Sequence, residues 1–285
     1  MNKKLLLVAI ILSGLFLIPN FIDYNINEDN TKIAIHEKFD SSLTRLNSLS
    51  KLELYTDSLA SIKNILPGTL DYAVLANEVV SQRLYHKYAT QSISDNWIAA
   101  VAEKLTGDCL ATNFTADDIL KKPYGYCVQV NTVLIELLKL KNYDYKIVSF
   151  PHHFTFMSHI QNKWYFFDPD QEPEISTQNR SNEKWLGNID SLIPAYKKGR
   201  KEMELRFGNP VTYNLSELNY AIAPKAKIFQ SVTNILSRIV FLFPMLWYVY
   251  LSRKRKQTIA TKNQQQTTQR WYYNFYRNER SGRRA

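Results

Sequence analysis

The sequence has little cysteine, no internal repeat and almost no net charge outside its two ends. Its 285 residues include two cysteines, Cys109 and Cys127, so at most one disulfide can form within the chain. The absence of a repeat argues against a solenoid. The 45% share of hydrophobic and 13% share of aromatic residues are ample for a packed core and exclude a disordered chain.

The net charge of +10 comes from the ends of the chain rather than from a basic surface. Residues 252–285 contain ten Lys and Arg side chains and one acid, Glu279, and Lys3 and Lys4 stand at the other end. Residues 5–251 are therefore almost neutral, which argues against a nucleic-acid-binding face. Cations beside apolar runs instead follow the positive-inside rule of membrane proteins.

Two apolar runs lie next to these cations. Residues 5–22 carry no charge and end without a small-residue cleavage site, which favours an uncleaved signal anchor over a removed signal peptide. Residues 228–251 precede the basic cluster Arg253–Lys256 and predict a second membrane-spanning helix. Because Arg238 interrupts this run, an amphipathic helix lying on the membrane is the alternative.

The predicted topology is that of an inner-membrane (cytoplasmic-membrane) protein with both termini in the cytoplasm and the intervening domain outside it. The predicted segments are an anchor (1–23), a helical linker region (24–69), an extracytoplasmic domain (70–227), a second anchor (228–251) and a basic cytoplasmic tail (252–285). We expect the tail to be disordered or associated with the membrane.

Apolar residues recurring at spacings of three and four predict amphipathic helices in the first half of the chain. The predicted helices span residues 31–66, 70–88 and 95–105. Ser94 or Asp95 is placed to cap the last of them, and Gly107 ends it. Residues 108–124 are predicted to be mostly loop.

A dense apolar stripe after Gly125 predicts a buried helix that ends near Asn142, and β-prone runs follow it. The predicted strands span residues 143–150, 153–160 and 163–168. Gln161-Asn162 suits a two-residue hairpin turn that pairs residue 160 with residue 163, and a turn one residue earlier is the alternative. Residues 181–220 are predicted to be further helix and loop.

Cys127, His153 and Asp168 carry the chemistry that the sequence indicates. A cysteine in the first turn of a helix lies where the helix dipole stabilises a thiolate and where free backbone amides can receive an oxyanion. A histidine and an acid on the following strands are a base and the group that orients it. The spacing to Asp168 favours His153 over His152 and His159.

Structural roles compete with this interpretation. Cys127 can instead form a disulfide with Cys109 or be an inert buried thiol. Asp168 precedes a proline, where aspartate is commonly a turn residue. The acidic loop 168–174 matches no calcium-ligand spacing, and neither a metal nor a cofactor is predicted.

The same stretch resembles the core of the transglutaminase-like superfamily. The similarity rests on Tyr-Gly-Tyr-Cys127 opening a helix, His153-Phe-Thr-Phe opening a strand and Trp-Tyr-Phe-Phe-Asp168-Pro ending the next. The sequence departs from many members at Thr155, where they have tryptophan. The similarity covers roughly residues 70–175.

This resemblance implies an α+β fold with a papain-like core, in which a helical first half precedes a cysteine-bearing buried helix packed on an antiparallel sheet. It implies that Cys127 attacks a peptide or protein amide, that His153 transfers the proton and that Asp168 holds the imidazole. The resulting thioester passes to water, as in a peptidase, or to an amine, as in a transamidase. Trp97 is the candidate oxyanion donor, with core packing as its alternative role.

Two other functions stay open at this point. A catalytically silent transglutaminase-like module would bind a peptide or a cell-envelope partner. A membrane assembly factor would bind through the helices of residues 31–66. Loss of function in a Cys127→Ala variant distinguishes the enzyme from the silent module.

Overall fold

The computed structural model describes residues 3–26, 38–181, 186, 192–196 and 200–282, and it is a mixed helix and sheet structure. Its helices are α1 (Lys3–Leu17), α2 (Leu49–Ile62), α3 (Leu70–Arg83), α4 (Ile93–Thr106), α5 (Ala116–Leu120), α6 (Cys127–Lys139), α7 (Arg200–Phe207), α8 (Pro224–Ile239) and α9 (Phe243–Gly282). Its strands are β1 (Tyr85–His86), β2 (Tyr124–Gly125), β3 (Asp144–Phe150), β4 (His153–Ile160), β5 (Lys163–Phe167) and β6 (Asn214–Leu215).

Helix α6 lies at the centre of the larger apolar core. Its side chains Val130, Val133, Leu134 and Leu137 are fully buried. They pack where α6 meets α2, α3 and α5 and strand β4. Neighbours cover the helix on several sides, as predicted from an apolar stripe too dense for a helix that faces solvent. Asn142, with a φ of 61°, turns the chain shortly after the helix ends, close to the predicted position.

Strands β3 to β6 form an antiparallel sheet in the order β5-β4-β3-β6. The predicted Gln161-Asn162 turn is confirmed, because both residues have the positive φ of a type I′ turn, 50° and 64°. Ile160 pairs with Lys163, so the turn one residue earlier is wrong. This register leaves His153 at the start of β4 and Asp168 directly after β5, at the same end of the hairpin.

The other face of the sheet supports a second, smaller core. Alternation along the strands turns Val148, Met157 and Phe166 towards this core. Tyr196 and, from α7, Phe207 complete it. Leu186, Leu192 and Ile193 are also buried there. Other parts of the segment predicted to be further helix and loop, residues 182–185 and 187–191, lie outside the described residues.

Local structure differs from the prediction after α3. The predicted helix to residue 88 ends at Arg83, because Leu84 is extended and β1 then pairs in parallel with β2. The predicted loop 108–124 contains α5 and the first residue of β2. Within the predicted helical region 31–66, the described part holds a 3₁₀ turn at Ser41–Arg45 and α2, and residues 27–37 lie outside the description.

Helix α4 begins earlier than predicted, and its cap is Ser92 rather than Ser94 or Asp95. The Ser92 hydroxyl accepts a hydrogen bond from the backbone N–H of Asp95, whose carboxylate accepts one from the backbone N–H of Ser92. This reciprocal capping box makes Asp95 the third residue of the helix. The helix ends at Gly107, with a φ of 76°, as predicted.

Two helical stretches are long and apolar enough to cross a membrane, one within Lys3–Phe21 and one within Pro224–Arg270. They run antiparallel. At one end the side-chain amide of Asn20 donates a hydrogen bond to the carbonyl oxygen of Ser237 at 3.1 Å. At the other end Leu5 lies beside the stretch from Tyr248 to Ile259. The basic ends of the two stretches therefore lie together.

The predicted second anchor, residues 228–251, is not one uniform helix. Helix α8 ends at Ile239, a 3₁₀ turn spans Val240–Leu242, and α9 then continues to Gly282. The tail that we expected to be disordered or membrane-associated is therefore largely helical. Its helix begins inside the predicted anchor.

Helix α8 is amphipathic and packs against α4. Its buried face carries polar side chains: Thr233 Oγ1 accepts a hydrogen bond from Asn96 Nδ2 at 2.8 Å, and Gln230 donates to the carbonyl oxygens of Leu110 and Thr112. Apolar side chains point away from the domain; they are Ile228, Val232, Ile235, Leu236 and Ile239. The predicted boundary between domain and anchor at residue 228 therefore falls inside α8.

Candidate active site

Cys127 is the first residue of α6, and buried side chains fix the start of that helix. Gln129 Oε1 accepts hydrogen bonds from the backbone N–H groups of Tyr126 and Ala89, at 2.9 and 3.1 Å. Its amide nitrogen donates to the carbonyl oxygens of Ala89 and Asn113. One fully satisfied side chain therefore holds the turn that presents the thiol.

Asn131 joins the first turn of α6 to the start of β4. Its side-chain amide donates to the carbonyl oxygen of Cys127 at 2.8 Å and to that of Phe154 at 2.7 Å. Since Phe154 follows His153, this bridge holds the helix start against the strand that carries the histidine. The thiol is thereby placed next to the imidazole.

His153 and Asp168 form a completely buried pair. Nε2 of His153 lies 2.7 Å from Oδ2 of Asp168, and both side chains are closed to solvent. The Tyr196 hydroxyl donates to the same carboxylate oxygen at 2.8 Å, and the backbone N–H of Gln171 donates to the other at 3.2 Å. Three donors thus fix the orientation of the acid and, through it, the orientation of the ring.

The electrostatics of the site favour a protonated histidine. Burial disfavours the charged imidazole, but the charge and hydrogen bond of Asp168, together with the thiol of Cys127, raise the pKa of His153 to about 10. Nδ1 of His153 is buried and has no partner at hydrogen-bonding distance among the described residues, and it is the ring nitrogen that remains for the thiol. A thiol beside an imidazolium is the arrangement that promotes a thiolate.

A second histidine–carboxylate pair flanks the first. His86 Nδ1 lies 2.7 Å from Asp170 Oδ1, and the Tyr126 ring packs against His86 with centroids 5.0 Å apart. Burial opposes ionisation of Asp170, but the charge and hydrogen bond of His86 and the charge of His153 lower the pKa of Asp170 to about 2. The imidazole of His153 therefore lies in the field of two carboxylates.

His153, Asp168 and Asp170 offer atoms that lie within 4.8 Å of one another, so this group is where a metal ion would bind. Nε2 of His153 and Oδ2 of Asp168 already face each other at 2.7 Å. Two ligands of one tetrahedral ion, each bound at about 2.0–2.2 Å, would lie about 3.3–3.6 Å apart, so these two atoms are closer than such a site requires. The pair has the geometry of a hydrogen bond.

The thiol is buried, whereas the residue before it is exposed to solvent. Phe207 of α7 packs edge-on against the His153 ring, with centroids 5.4 Å apart, and also against Tyr196. Cys127 is only 3% exposed, whereas Tyr126, directly before it, is 39% exposed. A groove elsewhere on the sheet has Val128 and Phe154 in its wall, the residues that follow Cys127 and His153, but neither Cys127 nor His153 is among the residues that line it.

Trp97 and Cys109 do not join this group. The indole N–H of Trp97 donates to the carbonyl oxygen of Ser237 at 3.3 Å, and its ring stacks on Phe16 of α1. The structure thus assigns it to packing between α4 and the two apolar helical stretches, the alternative role, and its only side-chain donor is not directed at the thiol. Cys109 and Cys127 are both free thiols, so the disulfide alternative is not formed.

The three residues that the sequence singled out, Cys127, His153 and Asp168, are therefore brought together. Gln129, Asn131, Tyr196 and the pair His86–Asp170 complete the site and were not predicted. Comparison of the chain with family models, with curated proteins and with solved structures gives no match.

Proposed function

We propose that this chain is a membrane-anchored, transglutaminase-like thiol enzyme that cleaves or transfers acyl groups at peptide or protein amide bonds. One observation carries the proposal. A free thiol at the start of a buried helix lies beside a histidine whose Nε2 is 2.7 Å from a buried carboxylate. The order of the three residues along the chain is that of the transglutaminase-like pattern.

The proposed reaction begins with attack of the Cys127 thiolate on the amide carbonyl carbon. The tetrahedral oxyanion lies at the start of α6, where backbone N–H groups and the helix dipole stabilise it. His153 donates its proton to the leaving amine as the C–N bond breaks, and a thioester remains. Water or an amine then attacks the thioester, gives its proton to His153 and releases Cys127. Asp168 keeps the imidazole oriented throughout.

The groove that includes Val128, the residue after Cys127, is the proposed substrate site. Ile147, Phe154 and Leu215 of the sheet line it together with Tyr220, so its wall is mainly apolar. An extended peptide lying there would pass the residue that follows Cys127. This placement favours a peptide or protein substrate with an apolar side chain near the reactive amide.

Trapping the thioester tests the proposal. The full-length protein in detergent micelles is mixed with a p-nitrophenyl ester, and the acylated peptide is identified by mass spectrometry after rapid quenching in acid. We expect acylation at Cys127 and release of the acyl group by water or by an added primary amine. The exposed thiol of Cys109 is an internal control. Acylation confined to Cys109, or none, would instead support a catalytically silent binding module.

Removing the Tyr196 hydroxyl should weaken the triad without dismantling it. In Tyr196→Phe the Asp168 carboxylate loses one of its donors, and a hydrogen bond to a charged group contributes about 1.5–3 kcal/mol. We therefore expect kcat to fall about 10- to 150-fold with little change in KM. Tyr213→Phe is the control, since its ring contacts Phe150 of the same core while its side chain is 36% exposed. Equal losses in both variants would show that packing, not the bond to Asp168, is responsible.

We also propose that the domain lies outside the cytoplasm, with both termini inside. The support is the antiparallel pairing of the apolar stretches, which puts Lys3 and Lys4 at the same end as Arg253–Lys256. Cys109 reports on this orientation because its thiol is free and exposed. We expect a membrane-impermeant maleimide to label this protein in intact cells, and Cys109→Ser to abolish that labelling. Labelling only after lysis would place the domain in the cytoplasm.

A further inference from the structure

A groove opens between the first turns of α1 and the middle of α9, at the end of the helix pair that lies away from the domain. It is lined by Leu5, Tyr248, Val249, Leu251, Ser252, Arg253, Lys254, Arg255, Lys256, Thr258 and Ile259. Its wall is thus apolar on the side of the membrane helices, and four consecutive cations follow directly. The side chains of Arg253–Lys256 are exposed.

The charge of this groove is not balanced by acidic residues of the helices that form it. The sequence contains no Asp or Glu between Glu217 and Glu279, so α8 and most of α9 supply no acid. Lys3 and Lys4 add further positive charge close to Leu5. Each Lys or Arg near an anionic membrane surface contributes about 1 kcal/mol of attraction, and this attraction adds to that of any apolar chain buried beside it.

We propose that this groove binds an anionic phospholipid, with its phosphate against Arg253–Lys256 and an acyl chain along Leu5, Val249 and Leu251. The cationic part of the groove requires an anionic headgroup, and the apolar part requires an acyl chain of the same molecule. A zwitterionic lipid supplies the chain but no net charge, and a soluble anion supplies the charge but no chain. The inference uses the membrane insertion proposed above and is independent of the thiol chemistry.

Native mass spectrometry of the full-length protein tests this inference. The protein in detergent micelles is titrated with phosphatidylglycerol and, separately, with phosphatidylcholine of the same chain length. We expect phosphatidylglycerol to be retained at least about fivefold more than phosphatidylcholine, a modest part of what four cations can supply. Glycerol phosphate, the soluble headgroup, should displace little of it. Equal retention of the two lipids, or complete displacement by glycerol phosphate, would overturn the inference.

Two charge-matched variants separate a site from general attraction. In the groove variant, Arg253, Lys254, Arg255 and Lys256 are all changed to Gln. In the control variant, Lys262, Arg270, Arg277 and Arg280 are changed to Gln, which removes the same charge from the same helix outside the groove. The preference for phosphatidylglycerol should disappear in the first and persist in the second. A similar loss in both, or persistence in both, would refute a binding site at the groove.

The thermal stability of the variants provides a second readout. Added phosphatidylglycerol should raise the Tm of the wild type and of the control variant, because a ligand that binds the folded state stabilises it. The groove variant should show no such rise. A rise of equal size in the groove variant would place the lipid elsewhere on the protein.

Discussion

Replacement of His153 by alanine should slow alkylation of Cys127 about 100-fold at pH 6 and leave it nearly unchanged at pH 9. The imidazolium of His153 is adjacent to the thiol, and its pKa of about 10 keeps it protonated across this range. In the proposed mechanism this cation assists the reaction of the thiol at pH 6. A free thiol has a pKa of about 8.5, so less than about 1% of it is ionised at pH 6.

The sign of this pH dependence follows from the raised pKa of His153. The folded protein keeps the His153 imidazole protonated at pH values above the ordinary imidazole pKa of about 6.5. The contribution of this protonation to the free energy of unfolding is therefore complete below about pH 6.5, and it is lost as the pH rises towards about 10. The wild-type alkylation rate should vary little between pH 6 and pH 9. In His153→Ala the rate should rise about tenfold per pH unit until the free thiol ionises.

The measurement is iodoacetamide labelling of the full-length protein in detergent, with the site of modification located by mass spectrometry. His159→Ala is the matched control, since His159 lies on the same strand but packs against Trp164 near the turn. It should keep the wild-type profile. Turnover of an acyl donor should fall about 10³- to 10⁴-fold in His153→Ala, as when a member of such a triad is removed. A wild-type pH profile in His153→Ala would remove the histidine from the mechanism.

The sequence was sufficient to predict the hairpin that carries His153 and Asp168. A two-residue turn at Gln161-Asn162 sets the register, and side-chain alternation then decides which residues share a face. The start of α6 was equally local, because a dense apolar stripe follows Gly125 directly. All three elements that carry Cys127, His153 and Asp168 were therefore predictable from interactions between near neighbours in the chain.

The rest of the site depends on contacts between residues far apart in sequence. Tyr196 reaches Asp168 from a separate segment, and His86 reaches Asp170 after the chain leaves α3 in an extended conformation. No periodicity predicts either pairing. A weak signal did exist for Gln129, since glutamine at the third position of a helix is typical of a capping box. Asp170 lies two residues after Asp168 but gave no sign of a histidine partner.

Helix α8 shows why hydropathy alone misplaced a boundary. Averaged over its length, the stretch from residue 228 is apolar enough to predict an anchor, and the average conceals Gln230, Thr233 and Ser237 on one face. Gln230 and Thr233 bind the loop after α4 and α4 itself, and the carbonyl oxygen of Ser237 accepts a hydrogen bond from α4. The domain and the predicted anchor therefore share a polar interface. For this reason the experiments proposed above use the full-length protein rather than a domain cut at residue 227.

Replacement of Arg83 by methionine should produce the largest loss of stability. The Arg83 side chain is 1% exposed, and burial lowers its pKa to about 10. Its guanidinium is held by backbone carbonyl oxygens rather than by an acid. These acceptors are Thr44, Leu46, Leu120 and Lys122, at distances of 3.3, 3.1, 2.6 and 3.1 Å. One side chain thus joins the turn before α2 to the end of α5, a few residues before the thiol.

Methionine fills much of the same volume but leaves these buried carbonyl groups without a donor, and each such group costs about 1–3 kcal/mol. We expect a net loss of about 3–5 kcal/mol, which lowers the Tm by about 10 °C for a chain of this size. The Tm of Arg83→Lys should lie between those of the wild type and Arg83→Met, since an ammonium cannot reach four acceptors in a planar array. Arg45→Met is the control, because Arg45 is exposed and bonds one carbonyl oxygen, that of Ser42. Similar Tm values for Arg83→Met and Arg45→Met would show that the buried guanidinium does not join these segments.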